Sequence, residues 1–123
     1  MDKVFYPELS YKIIGIVFAV CNKLGYGFQE KVYEKAIALE LKKERVTFKE
    51  QLCCDLVYEN EKIAKYFLDF LVEDKIVLEL KVGKSFRKKD FDQILTYLKT
   101  NNLKLGILVI FSPDGVRYRR ILN

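Results

Sequence analysis

With 123 residues, half of them apolar and 14% aromatic, the chain is long enough to bury a core and unlike a disordered segment. Its formal charge of +5, from 22 Lys plus Arg against 17 Asp plus Glu, favours a polyanionic partner only mildly. Histidine is absent, which excludes His general bases, His metal ligands and Ser–His or Cys–His nucleophilic pairs together.

The opening MDKVFYPELSYK lacks the apolar stretch of a secretory leader, and the strongest apolar run, Ile13 to Val20, is too short to span a bilayer. A cytoplasmic location is expected. Pro7 suits the first turn of a helix, and Leu9, Ile13, Ile16, Val17, Val20 and Leu24 recur behind it at helical spacing. Gly25 fits the residue after the last turn, where φ is often positive. A short connector ends at Gly27, and a second helix is predicted over 28–44 with Val32, Tyr33, Ala36, Ile37 and Leu41 as its buried stripe. Lys42, Lys43 and Arg45 complement the dipole at its end.

A strand over 47–58 follows, its alternation placing Phe48, Leu52, Cys54, Leu56 and Tyr58 on one face. Glu59-Asn60-Glu61 turns the chain, and a second strand returns over 63–72. The stretch 75–82 reads as the central strand, 83–89 as a basic loop, and 90–100 as a helix with Phe91, Ile94, Leu95 and Leu98 inward. LGILVIF, 105–111, has the apolar, β-branched character of a strand covered on both faces. Ser112-Pro113-Asp114-Gly115 is a strong turn signal before an edge strand over 116–122. The order is ααβββαββ, predicting one α/β domain over 1–123 with helices flanking a mixed sheet. Cys21, Cys53 and Cys54 lack C-x-x-C spacing, so neither a zinc site nor a dithiol redox motif is indicated, and reduced structural thiols are expected.

Charge intrudes on the apolar strands at Asp69, Glu79 and Lys81, within LDFLVEDKIVLELK. Charges rarely enter an otherwise buried strand without a partner or a ligand. An acidic residue followed by Glu-x-Lys on the next strand is a pattern that can hold a divalent metal and a hydrolytic water over a phosphodiester. Parity sets a condition on it. Cross-strand partners in a hairpin sum to a constant. A two-residue turn at Glu73-Asp74 sets Asp69 against Leu78, with Glu79 on the other side. A three-residue loop, 73–75, sets Asp69 opposite Glu79, so the site requires an odd loop or a bulge. Two opposed carboxylates repel, and Mg²⁺ or Mn²⁺ would relieve that repulsion. The simpler alternative is an Asp69–Lys81 salt bridge on a solvated face.

Three stretches in order, KLGYGFQEKVYE with Gly27, Glu30 and Tyr33, then LDFLVEDKIVLELK, then DQILTYLK, resemble the GxxExxY protein family over most of the chain. That family is placed in the PD-(D/E)XK nuclease superfamily, whose restriction-endonuclease-like core matches the element order. The resemblance implies a Mg²⁺-dependent nuclease acting on DNA or, less favoured, RNA. It implies Asp69 and Glu79 as direct metal ligands, the Leu80 carbonyl as a third, Glu30 as a supporting glutamate and Lys81 as the catalytic lysine. It also implies Gln93 and Tyr97 as a Q-x-x-x-Y pair near phosphate. Cys21 departs from relatives, which often carry His there.

Lys84, Arg87, Lys88 and Lys89 lie between the metal strand and the Gln93 helix and are candidate phosphate contacts. A domain of this size covers little duplex, so a homodimer or a separate targeting partner is an accompanying expectation. Two alternatives stay open: a non-catalytic nucleic-acid- or protein-interaction module on the same scaffold, and a hydrolase of small phosphate esters. No phosphate-binding loop supports the latter.

Overall fold

The computed structural model describes residues 5–123; the first four residues of the segment read for a leader lie outside it. The described elements are α1 (Pro7–Leu24), α2 (Glu30–Lys43), β1 (Phe48–Tyr58), β2 (Glu61–Val72), β3 (Ile76–Val82), α3 (Lys88–Thr100), β4 (Leu105–Ser112) and β5 (Gly115–Leu122). Their order is the predicted one. Both later helices differ at their starts: α2 begins two residues after the expected position, and α3 two residues before it.

Local chemistry explains the helix ends. Pro7 occupies the first turn of α1, where a missing N–H costs nothing. Gly25 has φ 75° and donates its N–H to the Cys21 carbonyl at 2.8 Å, closing the helix. The Tyr33 hydroxyl donates to the Gly25 carbonyl at 2.6 Å, and its ring stacks on Phe111 at 4.0 Å, so the α1–α2 connector is pinned to the core. Past α2, Arg45 takes the left-handed conformation (φ 58°) while Val46 N–H reaches back to the Leu41 carbonyl at 2.9 Å.

The sheet runs β1-β2-β3-β4-β5, with β3 in the middle and β5 at an edge as expected. Only β3 and β4 are parallel, joined across α3; the other neighbours are antiparallel. On one face, Ile13, Val17, Ile37 and Leu41 of α1 and α2 pack with Phe70, Leu78, Leu80 and Val109. On the other, Ile94 and Leu98 of α3 pack with Val77, Leu108 and Ile121. Gly106 permits the close approach of α3 to β4: a Cβ there would stand 2.5 Å from the Ile94 Cγ2 methyl.

β1 departs from its predicted alternation. Phe48 packs toward α1 and α2, whereas Leu52 and Cys54 pack toward α3. Gln51 lies between them at φ 54° and reverses which face the following side chains address. Phe70 and Leu68 on β2 divide in the same way. Further out, Glu59 (φ 48°) and Asn60 (φ 66°) form a two-residue turn, so Tyr58 pairs with Glu61, and a register shift after Leu56 absorbs the difference. Leu56 and Tyr58, expected on the core face, are exposed, and Leu56 lines an open groove with α3 instead of packing into the core.

All three cysteines are free, and burial pushes the Cys54 thiol up to about 11, which keeps it protonated and inert. Among the described residues no helix is long and apolar enough to cross a membrane.

Candidate active site where two central strands part

The β2–β3 hairpin decides whether the acidic residues meet. Its loop has three residues, 73–75, with Glu73 and Asp74 at φ 54° and 55° and the Lys75 N–H donated to the Val72 carbonyl. The pairs Val72↔Ile76, Leu71↔Val77 and Phe70↔Leu78 follow. Asp69 is the next position and stands level with Glu79, as the odd loop requires.

There the backbone ladder between β2 and β3 stops, while β3 stays paired with β4 as far as Val82 and Phe111. Side chains take over across the opening. Asp69 N–H donates to Glu79 Oε1 at 2.9 Å, and Leu80 N–H donates to Asp69 Oδ2 at 2.8 Å. Each carboxylate thus uses one oxygen to tie down the opposite strand. Both are enclosed, Asp69 at 8% and Glu79 at 3% exposure. Burial and then the neighbouring Asp69 push the Glu79 carboxyl up to about 9.

Lys81 projects from the same face as Glu79, two residues on. Its Nζ lies 3.7 Å from Glu79 Oε2 and 3.9 Å from Asp90 Oδ1. Burial works to lower the Lys81 pKa, but Glu79, Glu30, Asp90 and Asp69 together outweigh it and raise it. The Asp69–Lys81 bridge on a solvated face is not what forms: both carboxylates of the hairpin are buried, and the ammonium faces Glu79 and Asp90.

Glu30 is the first residue of α2 and half-buried, and it lines a groove of about 670 Å³ with Glu34, Gln51 and Asp69. Burial raises its carboxyl, Lys81 opposes this, and Asp69 adds to it. No hydrogen bond links it to Asp69 or Glu79.

Gln93 and Tyr97 sit on one face of α3 in a second groove, about 840 Å³, shared with Cys54 and Tyr66 of the outer hairpin. The Tyr66 hydroxyl donates to the Gln93 backbone carbonyl at 3.2 Å. The structure does not hydrogen-bond the Gln93 side chain to the acidic pair. Lys84, Arg87, Lys88 and Lys89 are exposed on the loop after β3 and the start of α3, with Lys88 paired to Asp92 at 3.0 Å.

Three residues of this region were not singled out in the sequence. Asp90, 4% exposed, supplies a second carboxylate to Lys81; an acid in the first turn of a helix is ordinary, and that masked it. Arg117 and Arg119 of β5 lie over the Phe86 ring at 5.8 and 5.1 Å, and Arg117 donates to the Lys84 carbonyl. They extend the basic rim from a distant part of the chain, which no local pattern signals.

The donors at Asp69 and Glu79 are oxygens only, the set preferred by Mg²⁺ and Mn²⁺. The Leu80 carbonyl faces the same side as this pair, because the N–H and C=O of one strand residue face the same edge and its N–H faces Asp69. An elevated Glu79 beside Asp69 is the electrostatic situation a divalent cation relieves, so these residues fit one. Among the described residues no three Asp, Glu, Cys or His side chains converge as a ready-made cluster.

Comparison with known proteins agrees with this architecture. The crystal structure of SSO0001 superposes with a TM-score of 0.57 at 18% identity, over 96% of this chain and 57% of that one. The chain therefore spans little more than half of that protein's length. An alkaline exonuclease, LHK-Exo from Laribacter hongkongensis, superposes with a TM-score of 0.52 at 15% identity, over 100% of this chain and 72% of its own. At such identities the likeness is one of fold. No curated protein matches the sequence. The profile of the PD-(D/E)XK nuclease superfamily matches residues 7–121, nearly the whole chain, and the chain belongs to that superfamily.

Proposed function

We propose that this chain is a Mg²⁺- or Mn²⁺-dependent nuclease that hydrolyses phosphodiester bonds in nucleic acid, DNA in preference to RNA. The observation that carries the reading is the buried Asp69–Glu79 pair at the point where β2 and β3 part, with Lys81 beside it. Asp69, Glu79 and the Leu80 carbonyl would hold the cation, with Glu30 in support from α2. When bound, it supplies polarisation of a phosphoryl oxygen and acidification of water.

The chain's own groups do the rest. Lys81 stays protonated because four carboxylates surround it, so its task is to orient the attacking water and offset charge developing on the phosphate. Gln93 stands one turn along α3 from Asp90 and would position phosphate or water, with Tyr97 beside it in the same groove. Lys84, Arg87, Lys88 and Lys89, joined by Arg117 and Arg119, would contact the phosphate backbone. We assign the chain within the superfamily to the GxxExxY family on Gly27, Glu30 and Tyr33. A cytoplasmic setting fits its free cysteines, and a second copy or a targeting partner would extend its hold on duplex.

A specific observation also supports the non-catalytic reading: one oxygen of each acidic side chain is already occupied by backbone N–H. The test is incubation of wild type and Glu79→Ala with labelled single- and double-stranded DNA and RNA in Mg²⁺ or Mn²⁺. Cleavage by wild type and its loss in the variant are expected. Equal cleavage, or none by either protein in either metal, would reject the proposal.

A further inference from the structure

Asp90 is a buried charge for which the proposed chemistry gives no task. It lies in the first turn of α3, 4% exposed, and its Oδ1 has no hydrogen-bond partner. Leaving a carboxylate oxygen buried and unsatisfied is costly, and such groups persist for a reason. The helix N-terminus offsets part of the cost. The other compensating group is the Lys81 ammonium, 3.9 Å from that same Oδ1.

Lys81 stands between two acidic side chains, with Glu79 Oε2 at 3.7 Å. Neither distance is a hydrogen bond, so the ammonium is held electrostatically between β3 and α3. The two partners are not equivalent. Glu79 shares its site with Asp69; Asp90 belongs to α3, which the fully buried Ile94 and Leu98 fix against the sheet. A cation held by Glu79 would take up the charge of that carboxylate and would repel the ammonium, which leaves Asp90 as the anion facing Lys81. A lysine stem has four rotatable carbons, and this side chain is already 29% exposed, so a route to solvent is open.

We infer that Asp90 is the positioning residue for Lys81, keeping the ammonium over the site when Glu79 is engaged by metal. The catalytic consequence rests on the nuclease reading; the tether itself rests only on the cation site. Asp90 touches neither metal nor substrate in this account and acts through Lys81 alone.

The test uses Asp90→Asn, which keeps the shape and removes the charge, and Asp90→Glu, which keeps the charge. Carbon-13 relaxation of the Lys81 Cε, assigned with Lys81→Arg, reports its order with and without Mg²⁺. Restricted motion in both states of the wild type, and release in Mg²⁺-loaded Asp90→Asn, are expected. Single-turnover cleavage by Asp90→Asn should fall by about a hundredfold with Mg²⁺ affinity and KM unchanged, the scale of a misplaced catalytic group, and Asp90→Glu should recover part of it. Loss of Mg²⁺ binding in Asp90→Asn would make Asp90 a ligand and overturn the inference. Wild-type order and rate in that variant would overturn it as well. Should Asp90→Asn fail to fold, a mobile Lys81 Cε in the loaded wild type overturns it, and a restricted one supports it. Absence of cleavage by the wild type would reject the nuclease reading while leaving the relaxation readout to decide the tether.

Discussion

Glu79 is where burial, repulsion and ligand chemistry meet in one side chain. Its carboxyl, ordinarily near 4.5, is raised to about 9, so between those values the folded chain holds a proton that the unfolded chain has released. Its contribution to stability is therefore complete below the ordinary carboxylate range and is lost as pH rises toward 9. Metal-free wild type should melt at progressively lower temperature from pH 5 to pH 9, and Glu79→Gln should flatten that slope; identical slopes would count against the assignment. The same proton must leave when a cation binds. Calorimetry in buffers of different ionisation enthalpy should show close to one proton released per Mn²⁺ at pH 7, and none would contradict the elevated carboxyl. Asp69, Glu79 and Lys81 were legible in the sequence because charge stands out among Ile, Leu and Val, and because parity tied their meeting to loop length. Asp90 was not, since its partner comes from another element.

Among elements, α3 depends on one position without a side chain. Gly106 lies under Ile94, and a methyl placed there meets the Cγ2 of a β-branched residue that has no free rotamer to retreat to. Gly106→Ala should cost about 1–3 kcal/mol, the usual range for overpacking, read as a lower denaturation midpoint with an unchanged slope. A midpoint equal to wild type would mean that α3 shifts freely, and then the α3 side of the site is not fixed by packing. Apolar periodicity identified each described helix, and the Pro7, Gly25 and Ser112-Pro113-Asp114-Gly115 signals placed several ends. The break in β1 escaped that reading because Gln51 is an ordinary strand residue, and nothing in its side chain signals a positive φ. Leu56 and Tyr58 fit the alternation and are nevertheless exposed, because alternation specifies a face and not what covers it.

For the whole molecule, a net charge of +5 says nothing of where the excess lies. The fold sets Arg117 and Arg119 of β5 beside the loop carrying Lys84 and Arg87 and the first turn of α3 carrying Lys89. Among the described residues none of these five has a carboxylate within ion-pair range, whereas the neighbouring Lys88 does. This rim adjoins a site that is itself acidic, an arrangement suited to gripping phosphates away from the reacting one. Binding of a labelled duplex to Glu79→Ala should weaken steeply with salt. Adding Arg117→Ala and Arg119→Ala should reduce the slope of log affinity against log salt by about two. An unchanged slope would remove β5 from the interface. The proton release, the cleavage and the metal-loaded state of the Lys81 tether all depend on the acidic pair being a cation site. Calorimetric titration of Mn²⁺ into wild type and Glu79→Ala tests that most directly. One equivalent bound by the wild type and none by the variant is the predicted result; equal binding by both, or no binding by the wild type, would contradict it.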